Sequence, residues 1–231
     1  MKHTLLSILI LSLFCGNAHA ADATFRIVTL GDSITKGVRG GVKADETFSA
    51  RLQAMLREKG VAVEVINAGI GGERTDQALR RLEKDVIARK PNLVTIMYGT
   101  NDSYVDKGKD ASRITVAEYR ANLEKLIANL RAAGVKPILM TEPRWGAKAP
   151  LNGVGEHPNL RLEKYVQACR EVAKEKNVPL VDHFQIWTDR EAAGEDIGAW
   201  TTDQCHPNPQ GHRIIAEAIV PVVQREIANP R

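Results

Sequence analysis

Aromatic residues are scarce, at 5% of 231, and no run of Lys or Arg builds a basic stripe. The 32 Lys and Arg nearly cancel the 28 Asp and Glu, leaving a formal charge of +4. A nucleic-acid binder needs clustered positive charge and usually aromatic platforms, so no nucleic-acid partner is expected. Cysteine is equally sparse: three are present, none in a CxxC-like pair, which argues against zinc-ribbon and thioredoxin-like chemistry. No apolar run reaches the roughly 20 residues of a membrane span, so stable membrane insertion is not expected. Gly (18) and Pro (10) are too few for a collagen-like chain, and 43% hydrophobic residues suffice for a packed core.

What is present begins with a leader pattern. Lys2 and His3 precede an apolar run over residues 5–14, and Ala18-His19-Ala20 closes it. These are the three parts of a secretory signal peptide, with cleavage expected after Ala20 and a periplasmic or secreted destination. A lipoprotein would use Cys15, but bulky Phe14 stands where such signals carry a small residue. Cleavage leaves Cys169 and Cys205, which in an oxidising compartment either pair or remain as two buried thiols; the sequence leaves both open.

Beyond the leader, short β-branched runs at 25–30, 61–66, 93–98, 137–141 and 178–182 alternate with helical patterns. The helical periodicity covers 48–59, 76–89, 116–133, 160–176 and 211–227. Such alternation predicts a mostly parallel sheet between layers of helices. No repeat or linker interrupts it, so one domain over residues 21–231 is expected. Two connections, 103–115 and 144–159, exceed the usual length of about 4–6 residues. Both follow strands, where ligands of open α/β sheets bind.

Four short segments carry groups suited to acyl chemistry. Ser33, in Gly31-Asp32-Ser33-Ile34-Thr35, sits at a strand-to-helix junction, where free main-chain N–H groups can meet an anion; a simple helix cap explains such a serine equally well. Asp203 and His206, in Asp203-Gln204-Cys205-His206-Pro207-Asn208, can supply a base and its orienting partner from one loop, or merely an Asx turn. Asn67-Ala68-Gly69-Ile70-Gly71-Gly72 and Gly99-Thr100-Asn101-Asp102 bring glycine N–H groups and an amide, the donors of an oxyanion hole. A metal held by Asp203, His206 and His212 is the rival reading, but it leaves Ser33 unexplained and lacks further ligands. His157 and His183 read as ordinary loop and strand-end histidines.

Together GDSIT, NAGIGG, GTND and DQCHPN, in that order over residues 31–208, resemble the SGNH/GDSL hydrolases. The resemblance implies an α/β fold: a flavodoxin-like three-layer α/β/α sandwich with a central five-stranded parallel sheet. It also implies carboxylic-ester hydrolysis without metal or organic cofactor. Ser33 would be the nucleophile, His206 the base and Asp203 its partner. The Ser33 and Gly72 main-chain N–H groups and the Asn101 side chain would form the oxyanion hole. An ionised Asp203 is expected to raise the His206 pKa.

Tyr104, Trp145 and Lys148 in the two long loops suit a sugar, with an aromatic face beside polar groups, although Trp145 could simply pack under its own loop. The favoured partner is therefore a small-molecule or glycan ester, with a short acetyl group on a carbohydrate first. A lysophospholipase or thioesterase-type acyl hydrolase and an O-acyltransferase acting on a cell-surface glycan are the alternatives. A catalytically silent glycan-binding domain is a third, disfavoured because a binder has no need of Ser33, Asp203 and His206 together.

Overall fold

The computed structural model describes residues 24–229; the expected leader over residues 1–20 lies outside them. Five parallel strands form one sheet: β1 (Phe25–Gly31), β2 (Val63–Gly69), β3 (Leu93–Met97), β4 (Lys136–Met140) and β5 (Leu180–Val181), in the order β2-β1-β3-β4-β5. The Val, Ile and Leu runs of β1, β3 and β4 are buried on both faces, which is why they read as continuous rather than alternating apolar segments, whereas edge strand β2 is mostly half-buried. The strand order reverses between β1 and β3, so the carboxyl ends of β1, β2 and β3 open a crevice there.

Among the described residues eight α-helices connect or flank the strands: α1 (Ser33–Lys36), α2 (Phe48–Glu58), α3 (Thr75–Arg81), α4 (Thr100–Ser103), α5 (Val116–Ala132), α6 (Pro158–Glu175), α7 (His183–Ala192) and α8 (Pro209–Ala228). On one face Val28, Leu30, Val94, Ile96 and Leu139 pack against α3, α5 and α6 through Ala78, Leu123, Leu126 and Val172. On the other, Ile27, Leu93, Met97 and Ile138 meet Leu52 and Leu56 of α2 and Ile215 and Ile219 of α8. Leu126 is fully buried on α5, so Leu126→Ala should cost about 2–5 kcal/mol through lost burial and the cavity left behind. The three-layer α/β/α architecture is the one the sequence leads one to expect.

Local differences have physical causes. The helix expected over 76–89 breaks after Arg81 into a π-helical turn, Leu82–Val86, and a 3-10 turn, Ile87–Arg89. The wider turn keeps both Leu82 and Val86 buried against the sheet. Helix α7 was not foreshadowed by periodicity; the Asp182 side chain caps it through Gln185 N–H, and His183, read as a strand-end residue, is fully buried in its first turn. Cys169 and Cys205 are both free and buried, in the cores on opposite faces of the sheet, which removes the disulfide alternative. Among the described residues no helix is long and apolar enough to cross a membrane.

Candidate active site

Ser33 follows β1 directly. Asp32 caps α1 by accepting from Ile34 N–H at 2.9 Å, which fixes the turn that carries the serine. The turn is tight enough that only glycine fits beside it: a Cβ on Gly31 would fall 2.0 Å from Thr35 Oγ1, and one on Gly69 would fall 2.1 Å from the Lys36 nitrogen. The ends of β1 and β2 therefore grip α1 from two sides.

His206 arrives from a loop closed on itself. A bridge pairs Thr201 with Pro207, and Thr202 N–H donates to His206 O at 2.8 Å. Asn208 and Pro209 then start α8, with the Asn208 side chain accepting from Gln210 and Gly211 N–H. Asp203 Oδ1 accepts from the main-chain N–H of His206 (2.8 Å) and Cys205 (3.2 Å), while Oδ2 accepts from His206 Nδ1 at 2.8 Å. The Asx turn expected as the simpler explanation is thus present, and it aims the carboxylate at the imidazole. An ionised carboxylate only accepts, so Nδ1 carries the proton and Nε2 is bare. Nε2 lies 2.9 Å from Ser33 Oγ and accepts its hydrogen. Arg39 adds a donor: its Nη2 reaches Asp203 Oδ2 at 2.8 Å.

Asn101, on α4 just after β3, is oriented from both ends. Its Nδ2 donates to Asp32 Oδ2 at 2.8 Å, and its Oδ1 accepts from Arg113 Nη1 at 3.2 Å. The amide orientation satisfies both partners, and one Nδ2 hydrogen stays available. The next residue, Asp102, bolts this turn to α3 by accepting from Thr75 N–H at 3.0 Å. Gly72 is exposed in the loop after β2 with φ +75°, and neither its N–H nor that of Ser33 has an acceptor among the described residues. Buried Glu73 anchors that loop, accepting from Arg81 Nε at 2.6 Å and from the Tyr98 hydroxyl at 2.5 Å.

Electrostatics depart from expectation at His206. Burial lowers its pKa and outweighs the raising effect of Asp203, and Arg39 adds a further lowering. The expected upward shift is therefore reversed, because desolvating an imidazolium costs more than one shared carboxylate returns. Asp203 itself is lowered, hydrogen bonds from His206 and Cys205 outweighing its partial burial. Beneath Ser33, burial raises Asp32 to about 7, and raises Glu142 well above the carboxylate range, with the neighbouring Asp32 charge adding to the rise. Since Asp32 already accepts from two donors while neither Glu142 oxygen has one, the proton of this pair belongs on Glu142.

Tyr104 and Trp145 lie together, their rings 22° from parallel with centroids 6.4 Å apart, and the Arg113 guanidinium sits 5.1 Å from the Tyr104 ring centroid. The Trp145 main chain is clamped by the Asn159 side chain, which accepts from the Trp145 main-chain N–H and donates to its carbonyl, both at 2.9 Å. Trp145 is half-buried against Leu162, Val166 and Phe184, so packing explains part of its role. The next residue, Gly146, donates to Gln204 O at 2.8 Å, joining this loop to the one that carries His206. His212 belongs to neither group: its Nδ1 accepts from Phe48 N–H at 3.2 Å in the core. Arg39, Arg113 and Glu142 were not foreseen; only Arg113, inside the long loop 103–115, carried a positional hint.

This fold and constellation define a serine esterase. The chain belongs to the GDSL-like lipase/acylhydrolase family, whose model matches residues 29–214. It is 30% identical to an uncharacterized lipoprotein of Bacillus subtilis (strain 168), over 95% of this chain and 97% of the relative. It is 28% identical to an acetylxylan esterase of Geobacillus stearothermophilus, over 84% of this chain and 92% of that enzyme. A crystal structure of a lipase/acylhydrolase from Enterococcus faecalis superposes with a TM-score of 0.74 at 28% identity, covering 87% of this chain and 96% of that one.

Proposed function

We propose that the protein is an exported ester hydrolase that removes short acyl groups, acetyl first, from carbohydrate. The reading rests on one observation: the unbroken hydrogen-bond line from Ser33 Oγ through His206 Nε2 and Nδ1 to Asp203 Oδ2, at 2.9 and 2.8 Å. Ser33 Oγ attacks the acyl carbonyl carbon as its proton passes to Nε2, and Asp203 stabilises the imidazolium. The oxyanion is met by the Ser33 and Gly72 N–H groups and the remaining Asn101 Nδ2 hydrogen. Collapse expels the alcohol, protonated by His206; water, activated the same way, then releases the acid.

The carbohydrate part is supported by the Tyr104–Trp145 pair, whose loops are tied to Asn101 through Arg113 and to the His206 loop through Gly146. The similarity to an acetylxylan esterase points the same way. Export is supported by the leader pattern, with one catalytic domain over residues 21–231 following it. The test is a hydrolysis panel of acyl chains from acetyl to palmitoyl, with acetylated xylan, each run beside Ser33→Ala. Rates that peak at acetyl and vanish in the variant are expected. A peak at long chains moves the reading to a lysophospholipase, and acetyl transfer to a sugar hydroxyl in preference to water moves it to an acyltransferase.

A further inference from the structure

Asp203 is more fully engaged than a triad requires. Its four acceptor contacts come from two main-chain N–H groups, from His206 Nδ1 and from Arg39 Nη2, and the last two share Oδ2. Arg39 is held for this contact. A two-residue Gly40-Gly41 turn pairs Arg39 with Val42 through two main-chain hydrogen bonds of 3.3 and 2.9 Å, and the Val42 side chain is buried. The turn lies beside the His206 loop: a Cβ added to Gly41 would stand 4.0 Å from Thr202 Cγ2.

We propose that Arg39 is a positioning residue for the triad, acting through Asp203: it fixes the carboxylate and takes part of its charge, so that His206 stays neutral and facing Ser33 in more acidic solution. The proposal rests on the reading of Ser33, His206 and Asp203 as a triad. The pair is about one-third exposed on each side, at 32% and 39%, so its contribution to stability is small. Its effect falls instead on the atom it shares with the imidazole. A carboxylate oxygen already bonded to a guanidinium stabilises an imidazolium less, and the cation itself opposes a second positive charge nearby. The Arg39 charge accordingly acts to lower the His206 pKa, in the same direction as burial and against Asp203. The other groups facing His206 are the Ser33 hydroxyl and, from α8, His212, whose own pKa burial lowers to about 4, so it carries no charge over the working range.

The test compares wild type, Arg39→Ala, Arg39→Met and Arg39→Lys. The pH dependence of kcat/KM on a soluble acetate ester is followed, and the His206 imidazole is titrated by NMR, its signal assigned from its loss in His206→Gln. In Arg39→Ala and Arg39→Met the acid limb and the imidazole titration should both move to higher pH. Arg39→Lys, which keeps the charge, should return both towards wild type. On the alkaline plateau kcat/KM should fall no more than about fivefold, the most that a partly exposed ion pair contributes. An unmoved or downward-shifted His206 titration in Arg39→Ala and Arg39→Met overturns the proposal, whatever happens to kcat. A shift that lysine does not reverse overturns it too, because packing and not charge would then be responsible. If the wild type lacks esterase activity, the triad reading fails by itself, and the NMR titration still decides the influence of Arg39 on His206.

Discussion

The Ser33 hydroxyl lies 2.9 Å from His206 Nε2 although 173 positions separate the two residues in the chain. One is delivered by the end of the central strand β1 and the other by the closed loop before α8. Both elements are seated in the same core, through Ile27 and Ile34 on one side and Ile215 and Ile219 on the other. Packing of apolar side chains thus sets a distance on which the proposed proton transfer depends.

Removing the hydroxyl alone tests that relationship. Ser33→Ala should fold with an unchanged melting temperature and lose ester hydrolysis by at least about 10³-fold, leaving what binding and oxyanion donors supply. Turnover above one part in a thousand, in protein freed of wild-type contamination, removes Ser33 from the nucleophile role.

The tautomer of His206 depends on Asp203. Asp203→Asn should lower kcat by roughly 10⁴-fold while leaving the loop closed, since an amide NH2 can donate to Nδ1 and so favours the tautomer with the proton on Nε2, which cannot accept from Ser33. Because burial holds the His206 pKa below its ordinary 6.5, the acid limb of kcat/KM in the wild type should lie below pH 6.5. A limb above that value shows that Asp203 outweighs burial after all.

In the proposed mechanism Asn101 donates to a charge that exists only in the tetrahedral state. Asn101→Ala should therefore lower kcat by about 10²–10³ with little change in KM. Asn101→Asp should be at least as harmful, placing a second carboxylate against Asp32 and the oxyanion. A normal kcat per active site, counted by burst titration, leaves Asn101 only a turn-shaping role.

Tyr104→Ala and Trp145→Ala separate sugar recognition from chemistry. Each should raise KM for an acetylated xylooligosaccharide by about tenfold, equivalent to 1.4 kcal/mol, and leave a small acetate ester unaffected. Equal losses on both substrates point to collapse of the loops instead.

Glu142 provides a stability test. Its folded-state pKa is raised, first by burial and then by Asp32, so its stabilising effect is complete below the unfolded value of 4.5 and is lost as pH rises towards the folded value. Glu142→Gln keeps the size and polarity of the side chain without a titrating proton. Its melting temperature relative to wild type should rise by a few degrees between pH 4.5 and pH 8. A difference that does not vary with pH contradicts protonation of Glu142 in the folded state.

Much was legible in the chain. Runs such as 93–97 announce a strand because β-branched residues buried on both faces leave a continuous apolar signature, and the stripe from Tyr119 to Leu130 announces α5 because helical geometry repeats every few residues. The four motif blocks were equally plain, since each is a local turn whose chemistry lies in consecutive residues. Other features depended on contacts distant in sequence. The break after Arg81 follows from how Leu82 and Val86 meet the sheet, and the fate of Cys169 and Cys205 from the faces on which their elements pack. The downward shift of His206 follows from how much of its ring the fold covers, and the contact of Arg39 with Asp203 spans 164 positions. A sequence records which groups are available and the local geometry they favour; which of them lose water together is decided only when the layers close.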